Sequence, residues 1–172
     1  INLRENRVRQ QIKKIAISTG GGAALGLNAV IRAIVLAATE RGWECHGIRD
    51  GYNGLLAPDD FPEGGIVPLS RKSVAGITHL GGTILGTTNR GNPLKYPLHM
   101  PDGTVKEIDR SDEIIEYFAK KQIDALISIG GDGSLTIAHA LAKPPTSRQA
   151  TGRPTATTCA LALPRATGSM IA

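Results

Sequence analysis

At 172 residues the chain has the length of one domain, and with 41% hydrophobic but only 3% aromatic residues its core has to be built from Ala, Val, Ile and Leu. Its formal charge of +5 is uneven: residues 1–142 hold 16 Lys and Arg against 15 Asp and Glu, whereas residues 143–172 hold Lys143, Arg148, Arg153 and Arg165 and no acid. No basic stripe interleaved with aromatics occurs, which speaks against nucleic-acid binding, and no apolar run nears the roughly 20 residues that span a bilayer.

Residues 1–13 are polar, with Arg4, Arg7, Arg9 and Lys13, and read as a leader or as a helix cut off from something upstream. Lys14 to Thr19 is a short apolar run, expected as a buried strand and broken at once by Gly20, Gly21 and Gly22. From Gly26 to Arg41 the apolar residues Leu27, Val30, Ile31, Ile34, Val35 and Ala38 recur at spacings of three and four, which predicts a helix that Gly42 ends. Glu44 to Ile48 is a second strand, followed by an Asp50-Gly51-Tyr52 turn, so the first fifty residues form a β-α-β unit with parallel strands. Residues 57–65 are loop, and Ile66 to Leu69 is a further strand candidate.

Gly81 to Arg90 reads as a small-residue loop, and Pro101-Asp102-Gly103 as the turn of a polar surface hairpin. Ser111 is expected to cap a helix to about Gln122 with Ile114, Ile115 and Phe118 on its apolar face. Ala125 to Ile129 is a third buried strand, then Gly130-Gly131-Asp132-Gly133-Ser134 opens another helix through Leu141. Residues 143–172 have no usable period, four prolines and no acid, which predicts no packed element. No repeat is present. The two cysteines, Cys45 and Cys159, stand in no metal or C-x-x-C spacing, no signal peptide opens the chain, and a reducing cytoplasm is the expected location.

Three glycine clusters could carry chemistry. Gly130 to Ser134 ends an apolar strand and starts a helix, where free backbone N–H groups and the positive end of the helix dipole suit phosphate. Glycine removes the Cβ atoms that would hold phosphate away, and Asp132 is placed to bind a Mg²⁺ ion bridging its oxygens. By spacing alone the same residues also make a plain strand-to-helix turn with Asp132 as a cap. Thr19 to Asn28 repeats the arrangement. No Lys follows Gly26, so it is not a Walker-type loop, and a packing role is the alternative. Gly81 to Arg90 sets one Arg on a loop, where its planar fork could bridge phosphates or simply be solvated. His46, His79, His99 and His139 form no metal or nucleophile constellation, and Trp43 and Tyr52 read as packing residues.

Taken together and in order, T-G-G-G-A-A-L-G-L-N-A-V-I-R, G-I-R-D-G-Y-N-G-L, G-G-T-I-L-G-T and I-D-A-L-I-S-I-G-G-D-G-S resemble the 6-phosphofructokinase family over about residues 12–142. The resemblance implies an α/β fold, a mostly parallel sheet with helices on both faces in a Rossmann-like three-layer arrangement, here truncated. It implies phosphoryl transfer from ATP to the 1-hydroxyl of fructose 6-phosphate, giving fructose 1,6-bisphosphate in glycolysis, by an enzyme that forms homo-oligomers. Gly22 matches the first phosphate loop. Asn89 or Arg90 matches the loop that reaches the nucleotide, and Gly131, Gly133 and Ser134 match the nucleotide-binding turn, with Asp132 as the Mg²⁺ ligand. Gly133 favours ATP over pyrophosphate, because many pyrophosphate-using members carry Asp there.

The sequence departs from the family pattern at three places. Ala23 and Leu25 replace the Asp and Pro of the first loop, and Leu36 replaces an effector-binding Arg of some bacterial members. The catalytic Asp of the family falls near position 156, within Pro154-Thr155-Ala156-Thr157-Thr158, where there is no carboxylate. The expected organisation is therefore a leader over 1–13, an incomplete nucleotide-binding domain over 14–142, and an aberrant, disordered tail over 143–172 from a shifted frame or mis-spliced gene. The chain reads as an inactive fragment, with a pyrophosphate-dependent enzyme and a dead nucleotide-binding module as the alternatives.

Overall fold

The computed structural model describes residues 12–22, 25–88 and 91–142, and the backbone of 157–162. In chain order the elements are β1 (Lys14–Thr19), α1 (Leu27–Glu40), β2 (Glu44–Ile48), α2 (Asn53–Leu56), β3 (Ile66–Leu69), β4 (Tyr96–His99), β5 (Val105–Ile108), α3 (Ser111–Lys121), β6 (Ala125–Gly130), α4 (Asp132–Ala142) and β7 (Thr157–Ala162). Five strands form one sheet in the order β3-β2-β1-β6-β7, and β4 and β5 form a separate hairpin. β1 is parallel to β2 and to β6, and β6 to β7, while β3 runs antiparallel to β2 at the edge.

The alternation of β1 and β6 explains why helices lie on both faces. Ile15, Ile17, Ala125 and Ile129 pack with Leu27, Ile31, Val35 and Ala38 of α1. Ala16 and Leu126, one residue out of step, pack on the other face with Ile114 and Phe118 of α3 and Leu141 of α4. A strand buried on both faces reads as a continuous apolar run, as these do. The α/β fold with a mostly parallel sheet is thus the one expected.

Helix α1 ends as glycine dictates. Gly42 sits at φ 70 and donates to Thr39 O, and Trp43 N donates to Ala38 O across 2.9 Å, closing a Schellman turn. The start of α3 differs from the expectation that Ser111 is its cap. Ser111 is the first helical residue, and the carboxylate of Asp109 accepts from its backbone N–H at 2.8 Å. The hairpin forms as read, with Met100 N donating to Thr104 O over the Pro101-Asp102-Gly103 turn.

One element departs from the sequence reading. Residues 157–162 extend the sheet beside β6, with Ile127 opposite Cys159 and Ile129 opposite Leu161, where no packed element was expected. Thr, Cys and Leu suit a pleated strand and need no period longer than six residues to pair. The other residues of 143–172 lie outside those described.

Candidate functional site

The sheet has a switch point between β1 and β6. From β1 the chain crosses through α1 to β2 on one side, and it later returns to β6 on the other. In open α/β sheets the crevice at the carboxyl ends of the strands, where the order reverses, is where ligands bind. Two of the glycine clusters stand at that point. Gly20 and Gly21 follow β1, Gly130 ends β6 and Gly131 to Ser134 lead into α4, and Gly20 N donates to Ile129 O at 2.9 Å.

The glycines do two different jobs. A Cβ on Gly20 or on Gly130 would run into the Ser134 side chain, so these two are bare to let Ser134 sit between the loops. Gly22, Gly131 and Gly133 have no atom within 4 Å of where a Cβ would be, and they face open space. A cavity of about 290 Å³ opens here. Its walls include Gly20 and Gly21 from the first loop and Gly131, Gly133, Ser134 and Ile137 from the start of α4. Gly51 and Tyr52 after β2, and Thr88, Gly91 and Asn92, complete it.

Of the residues singled out from the sequence, Gly131, Gly133 and Ser134 line this cavity. Asp132, the metal-ligand candidate, lies between two of its wall residues, exposed in the first turn of α4, but is not itself in the wall. Gly22 lies exposed just beyond Gly20 and Gly21, which take its place in the wall. Asn89 and Arg90 fall outside the described residues, but the chain on both sides of them, at Thr88 and at Gly91, reaches the cavity.

The G-G-T-I-L-G segment is held against this end of the sheet by side chains the sequence reading did not single out. Asn28, buried on α1, donates to Leu80 O at 3.0 Å and accepts from Ile84 N at 2.8 Å. Thr19 at the end of β1 donates to Gly86 O at 2.7 Å, and Asp50 N donates to Leu85 O at 2.9 Å. Leu85 is fully buried in the space that Gly47, lacking a Cβ, leaves open. Tyr52 serves both roles, packing and lining: it belongs to the core beside α3 and also walls the cavity. Burial pushes its phenol above the ordinary value, against an opposing pull from the Ser128 and Ser18 hydroxyls. Its signal in the sequence was the Asp50-Gly51-Tyr52 turn, which gains meaning only once β2 is known to lie beside β1.

Converging backbone N–H groups, bare glycines and a helix N-terminus suit a polyphosphate. Comparison with known proteins bears on the family. The family model for phosphofructokinase matches residues 14–159. The ATP-dependent 6-phosphofructokinase 1 of Nostoc sp. is 47% identical over 131 residues, 76% of this chain and 34% of the relative. The ATP-dependent 6-phosphofructokinase 2 of Clostridium perfringens is 46% identical, also over 76% of this chain and 34% of its own length. The chain therefore spans about a third of the length of these relatives. Among solved structures, Pichia pastoris phosphofructokinase in the T-state superposes with a TM-score of 0.66 at 28% identity, over 90% of this chain and 15% of that one. The pyrophosphate-dependent phosphofructokinase of Marinobacter aquaeolei superposes over 76% of this chain and 29% of its own at a TM-score of 0.56 and 16% identity, a likeness of fold alone. On motif order, on switch-point geometry and on the match over residues 14–159, the chain belongs to the phosphofructokinase family.

Proposed function

We propose that residues 14–142 are the nucleotide-binding part of an ATP-dependent 6-phosphofructokinase, which moves the terminal phosphoryl group of ATP to fructose 6-phosphate. The observation that carries this reading is the meeting of two bare glycine turns at the carboxyl ends of β1 and β6. Phosphoryl transfer needs positioning and neutralised charge more than covalent help from the protein. Backbone N–H groups of Gly21 and Gly131 to Ser134 would cradle the phosphate oxygens, and the dipole of α4 would favour their charge. The absence of a side chain at Gly133 leaves room for the nucleotide, and the relatives above are named as ATP-dependent.

Asp132 would hold Mg²⁺, which supplies charge neutralisation across the phosphates. No three His, Cys, Asp or Glu side chains among the described residues gather to hold a metal by themselves. That fits Mg²⁺, which binds through one or two carboxylates and otherwise through substrate phosphates and water. The expected homo-oligomer and cytoplasmic location belong to the same reading. No helix among the described residues is long and apolar enough to cross a membrane.

Calorimetric titration of the chain tests the donor. Mg·ATP should bind more tightly than Mg·pyrophosphate. Gly131→Val, which fills open space without touching the core, should weaken Mg·ATP by about tenfold or more. Unchanged binding in that variant, or no binding of either donor, would overturn the proposal. A second reading, an inactive nucleotide-binding module, is favoured by one observation: residues 154–158 hold no carboxylate where the resemblance places the catalytic Asp. Turnover of fructose 6-phosphate by the chain would eliminate it.

A further inference from the structure

At the other end of the strands lies a second cavity, of about 420 Å³. Lys14 opens β1, His46 sits mid-β2, and Pro68 lies opposite His46 on β3, so all three project to the α3 face of the sheet. Tyr117 and Lys121 of α3, with Ile123 just after it, form the facing wall, and Glu63 and Ile66 complete the rim. The six residues of β1 separate this cavity from the glycine turns by about 20 Å at the usual rise per strand residue.

The composition of the wall is selective. Two lysines line it against one carboxylate, and that carboxylate, Glu63, already pairs with Arg49 at 3.0 Å. Lys14 pairs with Glu44 at 2.9 Å, while Lys121, exposed at the end of α3, holds its ammonium 5.8 Å from the Tyr117 ring centre. Ile66, Pro68, Ile123 and the Tyr117 ring supply an apolar floor. His46 is half-buried, and its Nδ1, itself shut off from solvent, has no hydrogen-bond partner among the described residues. Pockets of this size with an apolar body and a few converging polar groups are the usual form of small-molecule sites.

We infer that this cavity binds a small organic anion, a phosphate monoester or carboxylate whose charge lies against Lys121 and Lys14 and whose carbon body lies on Ile66, Pro68 and Ile123. The site is independent of the nucleotide reading, since no residue is shared with the glycine cavity.

The test uses phenyl phosphate as the probe, with inorganic phosphate and phenol as its two halves, read by backbone amide shifts of the labelled chain. Phenyl phosphate should shift the amides of His46, Tyr117 and Lys121 saturably, with each half about tenfold weaker or worse. Lys121→Gln, an exposed change near the end of α3, should weaken that saturation about fivefold while leaving the far-UV spectrum and melting unchanged. Three results would each overturn the inference: shifts confined to Gly20, Gly21 and Gly130 to Ser134; inorganic phosphate binding as tightly as phenyl phosphate at the His46 amide; or equal affinity in Lys121→Gln.

Discussion

Ser134 occupies space that exists only because positions 20 and 130 carry no side chain, and this gives the first loop and the second a shared part. Gly20→Ala should therefore destabilise the fold by about 1–3 kcal/mol through overpacking. Ser134→Ala, which removes the Oγ that the new methyl would strike, should restore most of that loss in the double variant, measured by chemical denaturation. Asn28 is a second residue whose worth lies in partners far along the chain. Replacing it with Ala leaves Leu80 O and Ile84 N without their buried partners, and a loss of about 2–3 kcal/mol is expected. Cys45 shows burial acting on titration. Its thiol is pushed up to about 12 by burial alone. Because the folded value lies above that of the unfolded chain, the neutral thiol's contribution is complete below about pH 9 and is lost as pH rises toward 12. Native-state alkylation at pH 8, mapped by mass spectrometry, should leave Cys45 unmodified until the chain unfolds.

The helix ends separate what local sequence can state from what it cannot. Gly42 could be read as the stop of α1 because glycine adopts φ 70 without cost, and the Schellman bonds follow from that. Helix α3 closes in the same way, with Ile123 N donating to Phe118 O, but the left-handed position is Gln122 at φ 57. No residue preference marks Gln as a stop. The turn is held there by Ile123 and Phe118, both buried in the same cluster. Gln122→Gly should raise stability by about 1 kcal/mol by relieving the Cβ strain, visible as a higher melting temperature. At the start of α3 the local rule named the wrong side chain, because Ser and Asp both cap and only the backbone path places Asp109 within reach.

For the molecule as a whole, the strand order is what makes a site from separate turns. Nothing local distinguishes β1-β6 adjacency from β2-β6 adjacency, since all three are short strands of five or six residues whose sequences name no partner. The pairing of Ile15 to Thr19 with Ala125 to Ile129 brings together loops that are more than a hundred residues apart. The same sheet depends on β7 at its far edge, which leaves β6 paired on both sides. A chain ending at Ala142 should therefore melt lower and associate more readily than the full chain, as seen by scattering during a thermal ramp, because β6 would present an unpaired apolar edge. From sequence alone came the element types, the buried strands and the glycine turns, which rest on patterns within some twenty residues, and the family resemblance, which rests on four motifs in order over about residues 12–142. What tertiary structure alone decided was which turns meet, which glycines face space and which make room for Ser134, and that Tyr52 and Asn92 wall the cavity. The reason is that strand pairing joins residues distant in sequence, and a distance across the sheet leaves no periodic trace along the chain.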